Sequence, residues 1–190
     1  MAAKKSPDPG VATSHSSPLR IAEVNAPGGG VIGMTLCPGK VGPGNRYPWR
    51  RDLERDLDTL DAWSTRCLIT LMELHELIAY QVQELGERAH ARFGESGWLH
   101  LPIVDCATPD AAWEAQWQSQ GHKLHARLDR GERIVIHCLG GLGRTGLLAC
   151  RLLVERGIPP RQALADVRAA RPGAVETVAQ EGYVMRLPTG

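Results

Sequence analysis

The first apolar positions fall in short runs. Leu19 to Val24 and Val31 to Leu36 read as strands, separated by the turn-forming Asn25-Ala-Pro-Gly-Gly-Gly and followed by a breaker-rich loop from Cys37 to Pro48. From Arg51 the period changes: Leu53, Leu57, Leu60 and Trp63 recur at helical spacing, and Arg66-Cys-Leu-Ile-Thr-Leu-Met then reads as a buried strand. His75 to Phe93 is helical in pattern and Trp98 to Val104 reads as a strand. Pro109 to Arg130 is a helix whose start, Thr108-Pro109-Asp110, resembles an N-cap with Pro at the first helical position. Arg133-Ile-Val-Ile-His is a short β-branched strand, and Leu147 to Arg156 is a helix stopped at Gly157. Two further helices, Pro160 to Ala170 and Val175 to Leu187, end the chain with no later strand or internal repeat. Alternating strands and helices predict an α/β fold: a central, mostly parallel sheet flanked by helices in a single domain.

Composition narrows this picture at a few points. Residues 1–17 (MAAKKSPDPGVATSHSS) lack apolar periodicity and are expected to be a disordered tail, leaving 18–190 as the domain. Twenty-two basic and 21 acidic residues leave a formal charge of +1, too balanced for the broad footprint of a nucleic-acid binder, so any anion specificity must be local. The five cysteines, at 37, 67, 106, 138 and 150, are odd in number and lack CxxC spacing, which disfavours a disulfide framework or a zinc site. No run approaches a membrane span, and Met1-Ala-Ala-Lys-Lys-Ser passes into polar residues without an apolar h-region. A cytoplasmic protein without membrane association is expected, and a monomer is favoured.

The chemistry concentrates at the last strand-to-helix junction, His137-Cys138-Leu139-Gly140-Gly141-Leu142-Gly143-Arg144-Thr145-Gly146. A glycine-rich turn opening a helix gathers backbone N–H groups around one point, and the helix dipole adds positive potential there. Cys138 and Arg144 bracket five residues, so a curled loop can aim thiol and guanidinium at one tetrahedral anion. A helix N-terminus and a nearby cation can lower a cysteine pKa from about 8.5 to roughly 3.5–7.5, which makes Cys138 a candidate nucleophile. Arg144 offers a planar fork for two phosphate oxygens, and Thr145 can donate a hydrogen bond to the sulfur. Leu139, Gly140, Gly141, Leu142, Gly143 and Arg144 are the candidate phosphate-binding residues, the glycines leaving room for close approach.

The same letters satisfy GxGxxG at Gly141, Gly143 and Gly146, but a dinucleotide fold needs a further parallel strand after the helix, and this chain continues as helices. Walker A fails, because Arg144-Thr145-Gly146 stands where Gly-Lys-Ser/Thr is required. A buried structural cysteine explains Cys138 but not the coincident glycines and arginine.

This ten-residue segment resembles the signature of the protein tyrosine and dual-specificity phosphatase superfamily. Pro102-Ile-Val-Asp-Cys-Ala-Thr-Pro-Asp110 is similar to the general-acid segment of its kinase-associated phosphatase branch. Thr35-Leu-Cys-Pro-Gly39 and Arg171-Pro-Gly-Ala-Val-Glu-Thr-Val-Ala-Gln180 are similar to segments of the same group. The resemblance implies that Asp105 is the general acid, that His137 orders the loop, and that Gln180 helps place the hydrolytic water. Asp110 is the rival acid, though a first-turn acidic residue is explained by the helix dipole.

The resulting expectation is a phosphomonoester hydrolase that acts on phosphoproteins through a cysteinyl-phosphate intermediate, without metal or organic cofactor. Leu, Gly, Gly, Leu and Gly between Cys138 and Arg144 supply no lysine for the extra phosphates of an inositol phosphate. Tyrosine-only and dual specificity both stay open. The alternatives are a phosphoprotein-binding pseudophosphatase and an arsenate reductase, the latter needing a resolving thiol such as Cys106 or Cys150.

Overall fold

The computed structural model describes residues 10–190. In chain order its first elements are β1 (Ala12–Thr13), β2 (Ala22–Asn25), β3 (Val31–Thr35), β4 (Val41–Gly42), β5 (Trp49–Arg50) and α1 (Leu53–Ala62). Next come β6 (Thr65–Thr70), α2 (Leu74–Ala79), α3 (Leu85–Phe93), β7 (Trp98–His100) and α4 (Ala111–Asp129). The last are β8 (Arg133–His137), α5 (Gly143–Val154), α6 (Pro160–Ala170) and α7 (Val178–Met185).

The main sheet has the order β2-β3-β8-β6-β7, parallel throughout except for the antiparallel edge strand β2. This is the expected central, mostly parallel sheet with helices on both faces. Its middle strand shows why the pattern works. Successive side chains of a strand point to opposite faces, so Ile134 and Ile136 enter a core cluster with Leu147 and Leu148 of α5 and Leu124 of α4. Val135 enters the opposite cluster, with Leu57 and Leu60 of α1 and Leu85 of α3. Every residue of α5 is buried, its apolar positions in the core and its two arginines in ion pairs. The helix that opens at the glycine-rich loop is therefore the central pillar of one layer.

Several sequence expectations need adjustment. The tail expected over residues 1–17 lies outside the described residues as far as residue 9. From Gly10 onward the segment is held: β1 pairs with β5, and Ser14 is buried with its Oγ accepting from the Asp52 N–H at 2.9 Å. The single helix expected over 75–93 is two helices, because Gln81 takes a left-handed conformation (φ 57°) that turns Val82 into the core. No glycine or proline marks that break. The strand expected over 98–104 pairs only as far as His100, after which the chain leaves the sheet as an irregular segment toward α4. The cap of α4 is Asp110 rather than Thr108, its carboxylate accepting from the Trp113 N–H at 2.8 Å.

Arg51 is buried in a two-pronged pair with Asp56 at 2.7 and 2.8 Å. The same carboxylate accepts from the Gly39 N–H, which fixes the loop after β3 against the start of α1. No helix among the described residues is long and apolar enough to cross a membrane.

Candidate active site

The loop from Cys138 to Leu142 lies between the end of β8 and the start of α5, at the carboxyl edge of the parallel strands where open α/β sheets bind ligands. Gly141 is required for its curl. Its φ is +70°, and a Cβ there would lie 2.2 Å from the Thr35 carbonyl oxygen and 2.6 Å from the Leu36 nitrogen, both backbone atoms of the neighbouring strand's exit. Gly140 faces open space. Gly141→Ala is expected to cost about 2–4 kcal/mol through left-handed strain plus overpacking, whereas Gly140→Ala should stay within about 0.5 kcal/mol. Equilibrium denaturant unfolding of the two variants measures the difference, and equal losses would refute it.

Arg144 extends from the first turn of α5 and is only 1% exposed. Its Nη1 and Nη2 donate to the two carboxylate oxygens of Glu76 at 2.7 and 2.9 Å, and Nη1 also donates to the Ile103 carbonyl at 3.0 Å. Nη2 lies 2.9 Å from Asp105 Oδ1 as well. Burial works against the guanidinium charge, but the bonds to Glu76 and the nearby Cys138 and Asp105 outweigh it and raise its pKa above the ordinary value. Glu76, buried too, is held below the usual glutamate value by the same pair. Arg144 Nε has no hydrogen-bond partner among the described residues, and neither has the hydroxyl of the adjacent Thr145. The contact from Thr145 to the Cys138 sulfur that the sequence suggests is therefore not formed in this state.

His137 is fully buried. Its Nδ1 faces the Cys138 carbonyl at 3.3 Å, and its Nε2 lies 2.7 Å from the Thr70 hydroxyl, which also accepts from Trp98 Nε1. A carbonyl can only accept, so Nδ1 carries the proton and Nε2 accepts from Thr70. Burial pushes the imidazole pKa down to about 3, so the ring stays neutral and braces the loop rather than titrating.

Asp105 occupies the irregular segment after β7. Its carboxylate is 61% exposed while it reaches Arg144. That segment is docked by α7: Gln180 Nε2 donates to the Ala107 carbonyl at 3.1 Å, and Thr177 Oγ1 donates to the Cys106 carbonyl at 3.4 Å. Gln180 is fully buried, and its Oε1 accepts from the Glu176 and Thr177 N–H groups, so both ends of its amide are engaged. In this state it braces the Asp105 segment, with one of the two Nε2 donors engaged by Ala107. Asp110 is engaged in capping α4, as the dipole argument suggests.

Four residues to which the sequence reading assigned no role complete the site. Glu76 fixes Arg144. Glu176 Oε2 accepts from the Gly143 N–H at 2.8 Å, occupying one of the amides at the start of α5. Lys40 and Arg171 hold carbonyl groups of the loop, and Cys138 lies close enough to bear on the charge of both. Of the nominated resolving thiols, Cys150 is buried in the core, and burial pushes its pKa up to about 12. Cys106 is exposed, with its pKa raised chiefly by its neighbour Asp105. Neither microenvironment favours a reactive thiolate.

A family model described as "PTP-SAK: Swiss Army Knife protein, DSP-PTPase phosphatase domain" matches residues 50–184. Cyclin-dependent kinase inhibitor 3 of Mus musculus is 32% identical over 139 residues, covering 71% of this chain and 63% of its own length. The protein of that name in Homo sapiens is 31% identical over 175 residues, covering 90% and 76%. Among solved structures, kinase-associated phosphatase with its catalytic-site cysteine replaced by serine aligns with a TM-score of 0.73 at 27% identity, covering 88% of this chain and 93% of that one. Tk-PTP in its active form aligns with a TM-score of 0.60 at 30% identity, covering 82% and 90%.

Proposed function

This chain belongs to the dual-specificity and protein tyrosine phosphatase family, and from that premise we propose that it is a phosphomonoester hydrolase acting on phosphoproteins through a cysteinyl-phosphate intermediate. The observation that carries the reading is the pair of buried donors without partners, Arg144 Nε and Thr145 Oγ1, in the first turn after the Cys138–Leu142 loop. Unsatisfied buried donors are costly, and a tetrahedral dianion next to a thiolate supplies acceptors for both.

In the proposed reaction the Cys138 thiolate attacks phosphorus, an S–P bond forms and the P–O bond to the leaving group breaks. The loop amides and Arg144 hold the charge spread over the three equatorial oxygens. Asp105 gives its proton to the departing oxygen and recovers one from the water that later cleaves the S–P bond, so the cycle closes without metal or organic cofactor. Its exposed carboxylate must leave Arg144 to do so, and Glu176 must yield the Gly143 amide. Phosphotyrosine is the proposed substrate group, with phosphoserine and phosphothreonine as further candidates. Five free thiols fit a reducing, cytoplasmic setting.

Hydrolysis of para-nitrophenyl phosphate in EDTA tests this reading. Wild type is expected to turn over, Cys138→Ser to be silent, and Asp105→Asn to be slowed by about 10²-fold or more, the usual worth of a general acid. An inactive wild type that still binds phosphopeptide would replace the proposal with a binding module, and an active Cys138→Ser would end the covalent mechanism.

A further inference from the structure

Three carbonyl groups of the phosphate loop are held by two cations. Leu139 O accepts from Lys40 Nζ at 3.0 Å and from the Cys37 N–H at 3.2 Å. Gly140 O and Gly141 O accept from Arg171 Nη2 and Nε, each at 3.1 Å. A trans peptide is planar, with its N–H opposite its C=O. Each carbonyl held by a cation therefore turns the next residue's N–H away from that cation, which fixes the orientation of the Gly140, Gly141 and Leu142 amides.

Lys40 is placed for this task by its surroundings. It is 5% exposed, its Nζ lies 4.5 Å from the centre of the Trp49 ring, and its own carbonyl accepts from the Arg51 N–H. The preceding Gly39 is tied to Asp56. We propose that Lys40 is a positioning residue of the phosphate loop: by binding the Leu139 carbonyl it aims the Gly140 amide at the anion, and loss of its proton slackens that hold.

The inference rests on the loop being the anion cradle of the proposed phosphatase. The groups facing the ammonium are Cys37 on its own loop, Arg51 with its partner Asp56 at the start of α1, Cys138 on the phosphate loop, and Arg171 after α6. Burial, with Arg51 and Arg171, brings its pKa down to about 8, against the opposing pull of the two thiols. Arg171 keeps its charge at any working pH, so of the two cations only Lys40 can lose its own there. Below about 8 the loop has both charged holds, and above it one.

Tungstate, a tetrahedral dianion on both sides of this titration, is the probe, and calorimetry in a Cys138→Ser background keeps the nucleophile from titrating. Lys40→Met is expected to weaken tungstate binding at least about tenfold at neutral pH, the loss of one charge-assisted contact. Lys40→Arg should bind like the parent where Lys40 is charged and, unlike it, keep that affinity at the higher pH at which Lys40 loses its proton, which in the absence of Cys138 lies lower than in the native chain. Parent-like binding by a folded Lys40→Met would overturn the proposal, as would the same alkaline weakening in Lys40→Arg and its parent. If Lys40→Met fails to fold, the comparison of the parent with Lys40→Arg decides alone. Because binding is read without turnover, a chain that binds tungstate in this pattern yet hydrolyses nothing keeps the Lys40 role and loses the phosphatase reading.

Discussion

Arg144→Lys is expected to lower kcat/KM for para-nitrophenyl phosphate by at least about a thousandfold, which corresponds to roughly 4 kcal/mol of transition-state stabilisation. The size follows from how the guanidinium is used. Two of its nitrogens are committed to Glu76, one of them also to the Ile103 carbonyl, while Nε is left without a partner. A lysine ammonium has three donors around a single point and no rigid fork, so it cannot hold Glu76 and still present a donor to the anion at a fixed angle. The change retains the positive charge, so a large loss would show that donor geometry matters beyond charge. Steady-state kinetics alongside thermal unfolding make the test, since a folded variant retaining a tenth of wild-type kcat/KM would remove Arg144 from the proposed mechanism.

The parts of this site that could be read from the sequence are those carried by local order. Cys138, the glycines and Arg144 lie within seven consecutive residues, and their geometry follows from one strand-to-helix turn. The α/β alternation was legible for a related reason: buried strands such as β8 and the largely apolar α5 leave little ambiguity of period. Glu76 was not legible. Its bond to Arg144 spans 68 residues, and a glutamate in the first turn of a helix is already explained by the dipole.

Lys40 and Arg171 escaped for a different reason, because their partners are backbone carbonyls and a carbonyl carries no letter. Gln180 illustrates the limit of motif reading. Its position beside the loop is legible, whereas the engagement of its amide by Ala107, Glu176 and Thr177 depends on how the Asp105 segment docks on α7. The break at Gln81 is similar: tertiary packing of Val82 overrides a continuous helical pattern.

Glu76→Ala is expected to destabilise the protein by about 3–5 kcal/mol, because removing one member of a buried ion pair leaves the other charge uncompensated. Arg144 is 1% exposed and its Nη groups would keep only the Ile103 and Leu71 carbonyls and the exposed Asp105. Against a total stability of about 5–15 kcal/mol such a loss is large, and hydrolysis should fall with it as the guanidinium loses its anchor. The pH dependence follows from the direction of the Glu76 shift. Its folded pKa is depressed by Arg144 although burial pulls the other way, so its contribution is fully present above the ordinary glutamate value of about 4.3. That contribution is lost as pH falls through the lower folded value. The gap in unfolding free energy between wild type and Glu76→Ala should therefore be constant near neutrality and narrow in acid. Chemical denaturation across that range measures it. A double variant, Glu76→Ala with Arg144→Met, should recover part of the loss, because it removes the stranded charge that the single change leaves behind. A single variant as stable as wild type, or a double variant no more stable than the single, would show that the pair does not carry this energy.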